Sequence, residues 1–353
     1  MNMASKIRIC LLFGGANTEH EVSVRTAKSV YQALDPNKYE ISLIGIDKNG
    51  NWLQLPNQEL LQTSDNKELT VQNPIKILAS KSEKGILQIH NLSIFHNTDV
   101  AFPLIHGTGG EDGVIQGFLQ TLGVSYVGAG VLGSAIGMNK ITTKMILQAN
   151  NINVSDFTWA SKHEINDTFI NQSIKKLKLP LFVKPANQGS SIGITKVHSQ
   201  SELKPAMDEA LKYDNQILLE KAIEGRELEI AVLGNENPQA SVVGEIIPQG
   251  HEFYDYDAKY LDENGAELEI PAKLPGEISD QIGETALKAF RVLQCKGMAR
   301  VDFFLTKDNK ILVNEINTIP GFTSISMYPK LWEASEIFYS KLLDKLIELA
   351  TKR

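Results

Sequence analysis

Arg300, Asp302, Glu315 and Asn317 are the residues whose types and spacing most directly suggest chemistry. They occur in "ARVDFFL" (299–305) and "ILVNEINTIPGF" (311–322), two apolar segments joined by "TKDNK" (306–310). If Asp308 and Asn309 form a two-residue turn, the segments pair as antiparallel strands, with Arg300 opposite Asn317 and Asp302 opposite Glu315. Residues two apart on a strand share a face, so all four side chains converge on one side. Directly opposed carboxylates repel, which a purely structural hairpin would avoid. A divalent cation would resolve the conflict: carboxylate and amide oxygens suit magnesium, and phosphate oxygens would complete its shell. The plainer alternative is a solvated ladder in which Arg300 neutralises one acid.

Magnesium held by few carboxylates implies a nucleotide, and other segments fit that need. In "VKPANQGSSIG" (183–193), Lys184 ends a strand and the Gly189-Ser190-Ser191 turn could offer N–H groups and hydroxyls to phosphates. No Walker loop is present, and a plain hairpin also accounts for the turn. In "LLEKAIEG" (218–225), Glu220 and Lys221 end an apolar strand where an adenine could hydrogen-bond; Glu227 could take ribose hydroxyls, and surface charge is the bland reading of each. "HGTGGEDG" (106–113) follows an apolar strand and precedes a helix, so its glycines allow close backbone approach beside His106 and Glu111. "GGANTEHE" (14–21) lacks the dinucleotide fingerprint, and Glu19 there suits a cationic amine or simply the first turn of a helix.

The elements that must position these residues are partly legible. Residues 7–13 and 39–47 read as strands, and Val24, Ala27, Val30, Tyr31 and Leu34 recur at helical spacing between them. This βαβ unit implies a parallel sheet that meets ligands at its carboxyl ends. Residues 48–90 are polar and give no pattern, whereas 100–123 repeat strand, Gly-rich loop and helix. The character changes between Gly133 and Lys144, where a first boundary is expected. "LPLFVKPANQGSSIGITKV" (179–197) reads as strand, loop, strand, and 216–234 as a further pair of strands. A loop over about 248–270 carries Phe253, Tyr254, Tyr256 and Tyr260; a helix then buries Ile278, Ile282, Leu287, Phe290 and Leu293.

A net charge of −7 gives no basic patch, so nucleic acid and anionic membrane are not expected partners. No apolar run approaches the roughly 18 residues of a membrane span. The apolar core of "KIRICLLFGG" (6–15) is too short for a signal peptide and reads as a buried strand. Cys10 and Cys295 suit two reduced core thiols in the cytoplasm.

Taken in order, "EHEVS" (19–23), "HGTGGEDG", "VKPANQGSSIG", "YDYDAKY" (254–260), "ARVDFF" and "NEINTIPGFTSIS" (314–326) resemble the D-alanine–D-alanine ligases of the ATP-grasp superfamily, through nearly the whole chain. The resemblance implies an α/β fold: a three-domain ATP-grasp ligase with an N-terminal parallel-sheet, Rossmann-like domain, its nucleotide held between two further α+β domains. The expected divisions are 1–138, 139–222 and 223–353, with a lid loop at about 250–270. It implies ATP contacts from Lys140, Lys184, Ser191, Glu220, Lys221, Ile223, Glu227 and Lys259. Asp302, Glu315 and Asn317 would hold two magnesium or manganese ions. Glu19 would bind the first D-alanine's ammonium with His106 near its carboxylate, and Ser190 would support Tyr260. Arg300 and the Gly321 backbone would stabilise a tetrahedral intermediate, while Ser326 and Met327 would meet the second D-alanine.

The implied reaction is attack of one D-alanine carboxylate on ATP to form an acyl phosphate, followed by attack of a second D-alanine's amine. Charge neutralisation at the phosphoryl group and exclusion of water are its physical requirements. D-alanine and ATP are then the partners, with a homodimer a further expectation. The alternatives are a D-alanine–D-lactate or other ATP-grasp ligase, a non-catalytic ATP sensor and, more distantly, a dinucleotide oxidoreductase.

Overall fold

The computed structural model describes residues 5–56, 76–81, 87–89, 93–249, 265–323 and 325–352. Three sheets follow one another along the chain. The first comprises β1 (Ile7–Gly14), β2 (Tyr39–Ile46), β3 (Trp52–Leu55), β4 (Lys76–Lys81), β5 (Leu87–Ile89), β6 (Val100–Pro103) and β7 (Ser125–Tyr126), in the order β5-β4-β3-β2-β1-β6-β7. The expected βαβ unit is present: α1 (His20–Ala33) joins the parallel strands β1 and β2 and buries Val24, Ala27 and Val30. A short α2 (Ser93–His96) precedes β6. The stretch 48–90, which carried no pattern in the sequence, supplies β3, β4 and β5 as an antiparallel extension. These strands are short and meet one another across the chain, so no local periodicity announces them.

β1 and β6 are neighbours in this sheet, and the chain continues from β1 to β2 on one side but from β6 to β7 on the other. The crevice at such a switch point is where an open α/β sheet receives ligands. The loops after β1 and β6, carrying Glu19 and His106, open there. Helices α3 (Val114–Thr121), α4 (Val131–Met138) and α5 (Lys140–Ala149) lead on to the second sheet.

That sheet is antiparallel, in the order β10-β9-β11-β8, from β8 (Phe157–Ser161), β9 (Leu181–Pro185), β10 (Thr195–Val197) and β11 (Gln216–Lys221). Helices α6 (Asp167–Leu177) and α7 (Gln200–Ala210) cover it through Leu177, Leu203 and Met207, which pack on Leu181, Val183 and Leu219. The third sheet has the order β14-β13-β12-β15-β16: β12 (Gly225–Gly234), β13 (Gln239–Pro248), β14 (Ala266–Glu269), β15 (Gly297–Thr306) and β16 (Ile311–Asn317). Period-two alternation along β12 sends Leu228, Ile230 and Val232 into the core under α8 (Gly276–Val292). The opposite face therefore carries Glu227 and Glu229, toward the second sheet. Helices α9 (Met327–Ala334) and α10 (Tyr339–Thr351) pack Tyr328, Leu331, Leu343 and Ile347 into a core shared with β1 and α1.

The segment expected as a loop over about 248–270 ends in β14, which corrects that reading; residues 250–264 lie outside the described residues. The β15–β16 hairpin has the expected pairs, Arg300 opposite Asn317 and Asp302 opposite Glu315. It reaches them by another route. Thr306 N–H donates to the Lys310 carbonyl and Asn309 adopts φ +59°, so the turn spans Lys307, Asp308 and Asn309. Nearer the turn the register is offset by one, with Phe303 opposite Val313. Asn314 is the extra residue of a bulge that restores the register at Glu315.

Candidate active site

Two cavities adjoin where the three sheets meet. The larger, about 420 Å³, is lined by Glu19, His106, Ser190, Arg300, Asn317, Gly321, Ser326 and Met327. The smaller, about 100 Å³, lies between the second and third sheets, against Lys184, Ser191, Glu220, Lys221, Ile223, Glu227 and Asp302. Lys140, Ser190, Glu229 and Glu315 line both, so a group in one cavity meets a group in the other there. The residues picked out from sequence are thus brought together, except Lys259 and Tyr260, which lie outside the described residues.

At the shared wall, Arg300 Nε and Nη2 donate to the Asp302 carboxylate at 2.7 and 2.8 Å, and Nε lies 2.9 Å from Glu229 Oε2. Burial works against the charged guanidinium, but Asp302 and Glu229 outweigh it and hold its pKa well above the usual arginine value. Lys140 Nζ lies 3.4 Å from Glu315 Oε2. The opposed acids Asp302 and Glu315 are therefore compensated by protein cations, and their repulsion alone does not require a metal. The donor set still fits magnesium: two carboxylates and the Asn317 amide face the cavities, and few-carboxylate sites take their remaining oxygens from phosphates and water. No group of three or more His, Cys, Asp or Glu side chains among the described residues could hold a metal ion.

The 186–194 loop is fixed at its base. Asn139 caps α5 by accepting from Thr142 N–H, and its amide donates to Asn187 at 2.8 Å. Asn187 in turn donates to Asp214, and Lys140 Nζ donates to the Gln188 carbonyl at 2.7 Å. Ser190 and Ser191 both adopt left-handed φ, +50° and +60°. This turns the Ser190 hydroxyl onto Glu19, to which it donates.

Glu19 is enclosed closely. A Cβ on Gly107, whose φ is +70°, would stand 2.3 Å from Glu19 Oε2. His106 is buried, with Nε2 at 3.0 Å from Thr26 Oγ1 and Nδ1 at 3.1 Å from the Ile319 carbonyl and 3.4 Å from Glu111. Burial opposes its charged form, yet the Glu111 carboxylate, with Glu19 beyond it, raises its pKa above the ordinary histidine value. Ser326 Oγ accepts from Thr323 N–H at 3.0 Å, beside Gly321.

Sequence reasoning missed Lys144, Ser155 and Glu229. Lys144 Nζ lies 2.6 Å from Glu220 Oε1, Lys184 Nζ 2.6 Å from Glu220 Oε2, and the Ser155 hydroxyl also donates to Glu220. Lys140 and Lys144 sit four apart on one helix, a like-charge spacing that disfavours an isolated helix and so marks an outside partner. Glu229 alternates with core residues opposite Asp302 and was equally open to that reading.

The comparisons agree with this arrangement. Family models described as D-ala D-ala ligase N-terminus and C-terminus match residues 8–129 and 146–348. The D-alanine–D-alanine ligase of Shouchella clausii is 45% identical over 99% of this chain and 96% of its own length. The D-alanine–D-alanine ligase A of Escherichia coli K12 is likewise 45% identical, over 99% and 96%. Among solved structures, the D-alanine-D-alanine ligase from Coxiella burnetii aligns with a TM-score of 0.83 at 39% identity, covering 99% of this chain and 95% of that one. The VanG D-Ala:D-Ser ligase from Enterococcus faecalis aligns with a TM-score of 0.84 at 32% identity, over 98% and 100%. With two cavities meeting at a wall of lysine, arginine and carboxylates, and relatives this similar over full length, the chain belongs to the D-alanine–D-alanine ligase family.

Proposed function

We propose that the protein joins two D-alanine molecules into D-alanyl-D-alanine, with ATP converted to ADP and phosphate, for cell-wall precursor synthesis. The observation that carries this reading is the meeting of the two cavities at Lys140, Ser190, Glu229 and Glu315. ATP occupies the smaller cavity, with Lys221 and Ile223 at the adenine and Glu227 at the ribose. Its phosphates reach the shared wall, near Lys140, Lys184 and Ser191. Both D-alanines occupy the larger cavity. Glu19, oriented by Ser190, takes the first ammonium; Ser326 and Met327 meet the second molecule.

A carboxylate oxygen of the first D-alanine attacks the γ-phosphorus, the bond to the β-phosphate oxygen breaks, and D-alanyl phosphate and ADP result. The neutral amine of the second D-alanine then attacks the carbonyl carbon, and the tetrahedral adduct expels phosphate as its nitrogen gives up a proton to the departing phosphate or to solvent. Arg300 Nε and Nη2 are engaged by carboxylates, whereas Nη1 has no hydrogen bond among the described residues. That nitrogen and the Gly321 backbone stabilise the oxyanion. Asp302, Glu315 and Asn317 would hold the magnesium ions, which supply charge neutralisation at the phosphoryl oxygens. Lys259 and Tyr260 enter this reading from the sequence resemblance alone, as do the divisions 1–138, 139–222 and 223–353. The same basis supports a cytoplasmic homodimer, which sedimentation at several concentrations would test. Among the described residues no helix is long and apolar enough to cross a membrane.

The reaction is tested by ADP release with ATP, magnesium and each candidate acid. D-alanine should support turnover, L-alanine should not, and D-lactate or D-serine should replace only the second D-alanine, poorly. Turnover with bicarbonate and no amino acid, or none with D-alanine, would overturn the assignment. Gly107→Ala supplies a test of the first-substrate subsite. The added methyl strains a left-handed residue by roughly 1–2 kcal/mol and displaces the Glu19 carboxylate. We expect a KM for the first D-alanine raised about 10-fold, the equivalent of about 1.4 kcal/mol. An unchanged KM would place the ammonium elsewhere.

A further inference from the structure

Glu220 carries two lysines, and the two are not equivalent. Lys144, on α5, is 2% exposed, and its Nζ bonds both Glu220 and, at 3.0 Å, the Ser155 hydroxyl. Lys184, on β9, reaches the other Glu220 oxygen but opens onto the smaller cavity with a side chain 12% exposed. One carboxylate between two ammonium groups leaves a net positive charge at the cavity wall. A buried carboxylate stripped of its last partner costs several kcal/mol. With Lys184 as its sole counter-charge, Glu220 would hold that lysine permanently.

We propose that Lys144 is a positioning residue for nucleotide binding: a sealed counter-charge on Glu220 that allows Lys184 to leave the carboxylate and engage a phosphate. Lys144 itself touches no substrate. It keeps Glu220 paired at every stage, so Lys184 exchanges one anion for another without leaving a bare charge behind. The inference rests on the reading of the smaller cavity as the ATP site. The surroundings are consistent with it. Burial comes first among the influences that lower the Lys144 pKa, with Glu220 opposing, Lys184 adding repulsion and Glu315 attracting from β16. Lys184 is shifted the other way: burial opposes its charge, but Glu220, Glu315 and Glu227 prevail.

The test is a set of variants compared by ADP release and by equilibrium binding of ADP, with folding followed by circular dichroism. Lys144→Met should raise the KM for ATP about 10-fold or more while leaving the KM for D-alanine within about 2-fold, because Lys184 is then locked on Glu220. Lys144→Arg, which keeps the charge, should restore most of the ATP affinity. Should Lys144→Met not fold, Lys144→Gln carries the same expectation. The decisive arm is the double variant Lys144→Met with Glu220→Gln. Freed of the carboxylate, Lys184 should recover nucleotide affinity relative to Lys144→Met alone, whereas a purely structural Lys144 would give losses that add. Lys184→Met separates the two ideas. If it leaves the KM for ATP unchanged, the ATP-site reading itself fails. If it raises the KM but Lys144→Met does not, or the double variant shows no recovery, this inference alone is overturned.

Discussion

Arg300→Met should lower turnover by about 1000-fold and also destabilise the fold by about 3–5 kcal/mol. The two losses have one origin. Glu229 on β12 faces Asp302 on β15, and Asp302 faces Glu315 on β16, so three carboxylates lie in a row across adjacent strands. The guanidinium grips Asp302 with two nitrogens and touches Glu229, while Lys140 reaches only Glu315. Its removal takes from Asp302 and Glu229, both buried, the guanidinium that lies between these cross-strand like charges. The rate loss arises separately, from the missing donor to the oxyanion. Arg300→Lys distinguishes the two contributions. An ammonium restores charge but not the forked geometry, so it should recover stability more fully than rate. Urea denaturation at neutral pH and single-turnover ADP release are the measurements. A Met variant within about 1 kcal/mol of wild type would mean that the three acids do not depend on Arg300.

That row of acids also marks how far the sequence could be read. The pairing of Asp302 with Glu315 was legible because two apolar strands joined by a short polar turn must pair, and residues two apart share a face. It was reached, however, through two departures that cancel. Asp308 and Asn309 share their turn with Lys307, which shifts the register by one residue, and the bulge at Asn314 shifts it back. Bulges have no reliable local signature, but Val313 and Ile316 are three apart and both buried in the core under α8, which period two forbids without one. The loops holding Glu19 and His106 were legible for another reason: their glycines meet steric demands within a few residues. Gly110, for example, would place a Cβ 1.8 Å from the Ile105 carbonyl oxygen. Strands β3 to β5 were not legible, since each is short and defined by its neighbours. Lys144 was hidden because its partners, Ser155 and Glu220, lie on other elements. The like-charge spacing of Lys140 and Lys144 hints at an outside partner, but which carboxylate supplies it is fixed only when those elements are placed.

Glu220→Gln should cost about 3–5 kcal/mol at neutral pH, through the charge of one carboxylate rather than its shape. Burial alone would raise the Glu220 pKa, but Lys144 and Lys184 at its two oxygens reverse this and hold it well below the ordinary 4.5. An acid whose pKa is depressed by folding contributes stability that is fully present above its unfolded value. That stability is lost as pH falls through the folded one. The wild-type protein should therefore lose this contribution only below about pH 4.5, and the difference between wild type and Glu220→Gln should shrink as the pH falls further. The alkaline side has its own sign. Lys144 is lowered mainly by burial, so the folded state binds fewer protons than the unfolded one between its folded pKa and the ordinary 10.5. Stability from that group rises with pH across this window. Without Glu220 the window widens, and the variant should regain part of its deficit as the lysine becomes neutral. Denaturation of both proteins from about pH 3 to pH 10 should give a difference largest near neutrality and smaller at either end. A difference independent of pH would mean that Glu220 holds this site by hydrogen bonding and packing, and that the charges of its two lysines are balanced elsewhere.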